Sequence, residues 1–220
     1  PNYYETVDVN PAKVFQTVDG FGYTLTGGSA TLINKMEISQ QEKLLSELFS
    51  CSDKGICVSY LRISMGASDL DAEVFSYNDI PPSTEDLSLS KFSLSKDTIN
   101  LVPILKKILA INPEIKIMAT PWSPPLWMKN NKQSVGGGLL AQYYSVYADY
   151  FVTYLKAMKS QGINIDAVTL QNEPQHGGNN PSMVMSSAEQ ADFVAHHLGP
   201  KFQKENIKTK IIIWDHNCDN

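Results

Sequence analysis

Short apolar runs of strand length alternate with longer stretches in which apolar residues recur every three or four positions, from about residue 14 onward. That alternation is the mark of βα units, in which a parallel sheet is covered by helices. Strands are expected at about residues 15–24, 58–63, 115–119, 167–170 and 210–214. Helices are expected at about 39–49, 96–110, 139–161 and 187–205. The first helix pattern opens on Ser39 and Glu42 at capping-box spacing and carries Leu44, Leu45, Leu48 and Phe49 on one face. The second repeats Ile99, Leu101, Val102, Leu105, Ile108 and Leu109 at helical spacing, and Gly162 closes the third. A polar loop at 66–94 and a stretch at 120–138, with Pro121, Pro124, Pro125 and three successive glycines, read as irregular backbone.

The expected strand centres repeat every 48 residues or so, a pitch at which an eight-stranded barrel would take about 384 residues. Five βα units fit in this chain of 220 residues. A five-stranded doubly wound sheet is the competing architecture. Its usual signal is missing, because the first strand-to-helix turn, Gly20-Phe21-Gly22-Tyr23-Thr24-Leu25-Thr26-Gly27-Gly28, has no dinucleotide fingerprint. Gly136-Gly137-Gly138 is followed by Leu139 rather than by a phosphate-binding Lys, so phosphate cradling is not expected either.

Composition narrows the classes further. A 42% hydrophobic and 19% charged chain can bury a substantial core and is neither disordered nor collagen-like. A net charge of -5 with no Lys/Arg run leaves no basic face for nucleic acid or an anionic membrane. The longest apolar runs are strand-sized, so no membrane-spanning segment is expected. Three cysteines, Cys51, Cys57 and Cys218, match no zinc or redox spacing and are expected to be idle thiols with at most one incidental disulfide. The first five residues have neither a basic nor an apolar signal region, so any secretory signal is expected to have been removed or never to have existed.

In parallel βα folds reactive residues gather where the strands end. Those ends supply Arg62, Ser64 and Asp69; Thr120, Trp122 and Trp127; Asn172, Glu173 and His176; and Asp215, His216 and Asn217. Indole rings beside carboxylates and amides suit a sugar, whose C–H faces stack while its hydroxyls hydrogen-bond. Each residue also has a plainer role open to it. Glu173 could be a first-turn acid, Trp122 and Trp127 packing residues, Asp69 a turn cap and Arg62 a structural ion pair. His196 and His197 are adjacent and diverge on a helix, and His176 and His216 lack ligand-spaced neighbours, so neither a metal nor any other cofactor is expected.

Joint occurrence strengthens the carbohydrate reading. Val18-Asp19-Gly20-Phe21-Gly22, Leu61-Arg62-Ile63-Ser64-Met65-Gly66-Ala67-Ser68-Asp69, Ala119-Thr120-Pro121-Trp122-Ser123-Pro124-Pro125-Leu126-Trp127-Met128-Lys129 and Leu170-Gln171-Asn172-Glu173-Pro174 together resemble glycoside hydrolase family 30. That family includes glucosylceramidases, β-glucosidases, β-xylosidases and endo-β-1,6-glucanases. The resemblance implies an α/β fold, a partial (β/α)8 barrel of about five βα units over residues 14–220. Residues 1–13 would supply an N-terminal strand, at about 3–9, to a side β-sandwich. It implies Glu173 as general acid/base and Asn172 as the amide bonding the sugar 2-hydroxyl. Asp69 and Trp122 would hold the sugar by its outer hydroxyls and its face, and Arg62 would orient the nucleophilic carboxylate. Trp127, His176, Asp215 and His216 would line the same cleft.

The nucleophile of the family is a second Glu after strand seven, expected beyond residue 220, so the chain alone is expected to be inactive. Double displacement needs two carboxyl groups about 5 Å apart. The expected function is a retaining β-glycosidase acting on β-1,6-glucan, glucosylceramide or a similar β-glucoside, secreted or periplasmic, of open oligomeric state. A non-catalytic sugar-binding protein with a degenerate cleft is the rival from another class, and a dehydrogenase or phosphate-binding α/β domain the second.

Overall fold

The computed structural model describes residues 4–52 and 54–218. Five strands, β1 (Gly22–Leu25), β2 (Tyr60–Met65), β3 (Lys116–Pro121), β4 (Ala167–Thr169) and β5 (Lys210–Ile212), form one parallel sheet in the order 1-2-3-4-5. A doubly wound sheet reverses its strand order at a switch point; this one never does, which leaves the barrel arrangement. The helices are α1 (Gly27–Asn34), α2 (Ile38–Phe49), α3 (Ser95–Ile99), α4 (Leu101–Ile111), α5 (Tyr144–Ser160), α6 (Ser187–Phe193) and α7 (Gly199–Lys204). No helix among the described residues is long and apolar enough to cross a membrane.

Alternation along the strands separates two duties. Leu61, Ile63, Met65, Ile117, Ala119 and Val168 point one way and join the buried core with Leu105 and Ile108 of α4 and Tyr147 and Phe151 of α5. Ile63, Ala119, Val168 and Ile211 lie level across four strands, which fixes the register of that apolar face. The opposite face carries Arg62, Ser64, Thr120 and Thr169, with Ser64 level with Thr120. Gly22 is where β1 meets β2: a Cβ there would stand 1.4 Å from the Tyr60 carbonyl oxygen, so only glycine fits.

Several elements differ from the sequence expectation for identifiable reasons. The first strand is confined to Gly22–Leu25, and Val14, Phe15 and Val18 are exposed before it. No strand forms at residues 4–9, where Val7 and Val9 stand in solvent, and residue 3 lies outside the described residues. An extended segment becomes a strand only beside a ladder neighbour, and the described residues supply none. Helix α2 starts at Ile38 with Glu37 at its cap and no side-chain cap bond, so Ser39 and Glu42 make no capping box. That device occurs instead at α6, where Ser186 and Glu189 satisfy each other's backbone N–H groups.

The expected helix 96–110 breaks at Asn100, leaving Ile99 exposed. Pro103 explains the break, since it has no N–H to return to the Ile99 carbonyl and its ring crowds that oxygen. Pro200 acts similarly on the last helix. With no N–H to offer His196, the chain widens into a π-helical turn at Val194–Leu198, and the Gly199 N–H reaches back to the Val194 carbonyl. Cys51 and Cys57 are joined by a disulfide, and Cys218 is free and exposed.

Candidate functional site

The site begins on the polar face of β2. An Arg62 Nη donates 2.7 Å to Asn172 Oδ1, just beyond β4, and 2.7 Å to Asp215 Oδ2, just beyond β5. Thr169 of β4 donates its hydroxyl 2.8 Å to the same Asp215 oxygen and stands 2.9 Å from the Thr120 hydroxyl of β3. Four neighbouring strands are thereby tied at their carboxyl ends by one guanidinium, one carboxylate and two hydroxyls. The Arg62–Asp215 pair is largely withdrawn from solvent, with side-chain exposures of 17% and 20%, so water screens it weakly. Arg62 Nε is buried and has no hydrogen-bond partner among the described residues.

The guanidinium also lies over the Trp122 ring, 4.7 Å from its centroid. Trp122 is 4% exposed and donates its indole N–H 3.0 Å to Asp69 Oδ1, which ties the loop after β2 to the end of β3. One face of the indole is therefore taken by the guanidinium. Backbone bonds place the next residues: Asn172 N–H donates to the Pro121 carbonyl and Glu173 N–H to the Asp215 carbonyl, each at 2.8 Å. Glu173 is held at φ 44°, a left-handed conformation that costs a non-glycine residue energy and that these neighbours maintain. Its carboxyl oxygen Oε2 accepts a 2.6 Å bond from Asn179 Nδ2.

Arg62, Asp69, Trp122, Asn172, Glu173 and Asp215 are thus brought together by contacts that run from one to the next. Trp127 is not among them. It is 1% exposed, packs edge-on against Tyr143 and donates its indole N–H 2.9 Å to Asn78 Oδ1, inside the core. Asn78 in turn donates to Asp86, and that bond, aided by backbone N–H groups, holds the Asp86 carboxyl well below the usual carboxylate range. His176 is exposed and joins Glu173 through its backbone N–H alone, at 2.8 Å. His216 packs edge-on against Trp214, 5.7 Å between centroids, with its Nδ1 buried and unpartnered among the described residues.

Three residues of the site region were not singled out from the sequence: Thr169, Asn179 and Lys129. Lys129 belongs to the Trp-Met-Lys segment, yet nothing in that segment announces that its ammonium is buried and donates to the Ser182 and Ser134 carbonyls at 2.6 and 3.2 Å. Burial pushes its pKa down to about 8. A cavity of about 530 Å³ lies at the other end of the sheet, lined by Lys116, Asp166 and Lys210 at the strand starts. Its ion pairs are satisfied locally, and the loops that carry the cluster above do not reach it.

The sequence model of the Glycosyl hydrolase family 30 TIM-barrel domain matches residues 18–220. An endo-1,6-β-D-glucanase of Neurospora crassa is 34% identical over 97% of this chain and 45% of its own length. The lysosomal acid glucosylceramidase of Mus musculus is 31% identical over 94% of this chain and 41% of its own. Among solved structures, the endo-β1,6-glucanase BT3312 superposes with a TM-score of 0.87 at 40% identity, covering 94% of this chain and 46% of that protein. SrfJ from Salmonella typhimurium gives 0.88 at 32% identity, with the same coverages of 94% and 46%. The chain spans about half the length of the relatives it matches.

Proposed function

The chain belongs to glycosyl hydrolase family 30, and from that premise we propose that it carries the acid/base half of a retaining β-glycosidase site acting on β-1,6-linked glucan. The observation that carries the reading is the placement of Glu173 at the mouth of β4, against the network of Arg62, Asn172 and Asp215 and beside the Trp122–Asp69 pair. The preference for glucan over glucosylceramide rests on likeness, since the relatives reported above with 34% and 40% identity are named endo-1,6-glucanases and the one with 31% a glucosylceramidase.

In this reading Glu173 gives its proton to the glycosidic oxygen as the C1–O bond breaks and the electron pair leaves with that oxygen. A second carboxylate attacks C1 from the opposite face, and Glu173 then takes a proton from the water that releases the sugar. The Asn172 side chain, oriented by Arg62, meets the sugar 2-hydroxyl. Asp215 is engaged by Arg62 and Thr169, and Asp69 by Trp122, so the reading assigns the nucleophile to a residue outside these 220. Residence in an oxidising compartment, secreted or periplasmic, is part of the same proposal; the Cys51–Cys57 disulfide supports it.

Full-length protein given linear β-1,6-glucan should release oligosaccharides whose first-formed reducing end is the β-anomer by proton NMR. Release of the α-anomer first would overturn the retaining mechanism, and faster turnover of glucosylceramide than of the glucan would overturn the substrate assignment. Trp122→Ala should weaken a glucose-like inhibitor by about 1–3 kcal/mol, read by calorimetry on the folded fraction. Unchanged affinity would return Trp122 to a packing role.

A further inference from the structure

Glu173 Oε2 accepts a 2.6 Å hydrogen bond from the Asn179 amide, and the surroundings show that the amide is placed there by the backbone. Residues 174–185 form a loop closed at its base by Met185 N–H to the Pro174 carbonyl, 2.8 Å. Its far side is laced to the segment 134–137. Ser182 N–H donates to the Ser134 carbonyl at 2.9 Å and Val184 N–H to the Gly137 carbonyl at 2.8 Å. Gly136 N–H donates 2.8 Å to the Ser182 hydroxyl. The buried Lys129 ammonium fastens both segments by bonding the Ser182 and Ser134 carbonyls. Gly177 lies so close to Val184 that a Cβ there would stand 2.9 Å from a Val184 methyl. A loop held at this many points has little freedom to move Asn179 off the carboxyl.

We propose that Asn179 is a positioning residue for Glu173: it occupies Oε2 and leaves Oε1 as the oxygen that carries the catalytic proton. The inference rests on the acid/base reading of Glu173. An ionised carboxylate only accepts hydrogen bonds, so the amide meets it with Nδ2. In the acid form the unprotonated oxygen is the better acceptor, so the amide keeps the proton on Oε1. A bond donated to a carboxylate stabilises its charged form, so a pH–rate profile reads whether this contact acts on the acid/base itself. The other charged and titratable residues of the cluster and of the flanking loops are Arg62 on β2, Asp69 after β2, Asp215 and His216 after β5, and His176 in the same loop as Asn179. None of them makes a side-chain hydrogen bond to the Glu173 carboxyl among the described residues, so replacing Asn179 changes the one direct contact.

The test compares pH–rate profiles of the full-length protein with those of Asn179→Ala and Asn179→Asp, on a β-glucoside with a poor leaving group and on an activated aryl β-glucoside. The alanine variant should move the basic limb of the profile upward by about one pH unit. The aspartate variant, which sets a like charge beside Glu173, should move it further. At the optimum, kcat/KM for the poor leaving group should fall roughly tenfold in Asn179→Ala, and that for the activated substrate by less than about twofold. Asn179→Ser serves where the alanine variant folds poorly, with binding of a glucose-like inhibitor as the check on folding. An unmoved basic limb with equal losses on both substrates would overturn the proposal and make Asn179 a loop residue only. Glu173→Ala run in the same assay separates the two failures, because it tests the acid/base reading without reference to Asn179.

Discussion

Replacing Glu173 by alanine in the full-length protein should cripple cleavage of β-glucosides with poor leaving groups by about 10²–10⁴-fold, the usual worth of a positioned general acid. Activated aryl glucosides should keep their first step, since their leaving groups depart without a proton. Their second step should become slow, because no base remains to activate water, and the glycosylated protein should accumulate. Azide, a nucleophile that needs no base, should restore turnover and yield a β-glycosyl azide of retained configuration. Equal losses for both substrate types, with no recovery in azide, would remove Glu173 from the chemistry. Its left-handed φ of 44° would then be no more than a feature of the turn leaving β4.

Asp97 should make the protein lose stability as the pH rises from about 4 to about 7. This carboxyl, 3% exposed on α3, is pushed up from 3.8 to about 7 by burial, with the Tyr77 hydroxyl donating 2.5 Å to it in the opposite sense. Between those values the unfolded chain carries an ionised Asp97 while the folded chain holds it neutral. The unfolded state therefore binds fewer protons, and stability declines from about pH 4 to about pH 7. A shift of roughly three units corresponds to about 4 kcal/mol at the upper end. Asp86, held low, acts only on the acid side of this window.

Asp97→Asn should abolish that decline in urea unfolding followed from pH 4 to pH 8, and should be more stable relative to wild type at pH 8 than at pH 4. Parallel curves for the two proteins would refute the buried-carboxyl account. Tyr77 makes the effect relevant to the cleft, because the same hydroxyl accepts 2.7 Å from the Gly66 N–H, at the start of the loop that carries Asp69.

How much of this was legible in the sequence follows from which interactions are local. Arg62, Asn172, Glu173 and Asp215 could be singled out because each stands at the end of an apolar strand run, where a parallel fold gathers its loops. Trp122 and Trp127 sit five residues apart in the same irregular stretch, and only the partner of each indole N–H separates them: Asp69 for one, the buried Asn78 for the other. Asn179 carried no pattern, since its position depends on contacts with Lys129 and the 134–137 segment some forty or more residues earlier. Ser39 and Ser186 show the same limit for caps. Both are followed three residues on by Glu, and tertiary placement alone decides that only the second is used.

The two-residue alternation in β2 has a consequence for which changes the chain can absorb. Leu61, Ile63 and Met65 belong to the helix-covered side, while Arg62 between them ties the ends of two other strands, β4 and β5. Deleting a single residue from β2 would turn a guanidinium into the apolar interior and a leucine toward the polar face, so the core and the Arg62 network would fail together. The loop of residues 66–94, which begins one residue later, has a different tolerance. Lengthening it costs closure entropy that grows only with the logarithm of its length, about 0.6 kcal/mol for each doubling. Insertions that reshape the cleft wall can therefore accumulate there, one peptide bond away from a strand that admits none.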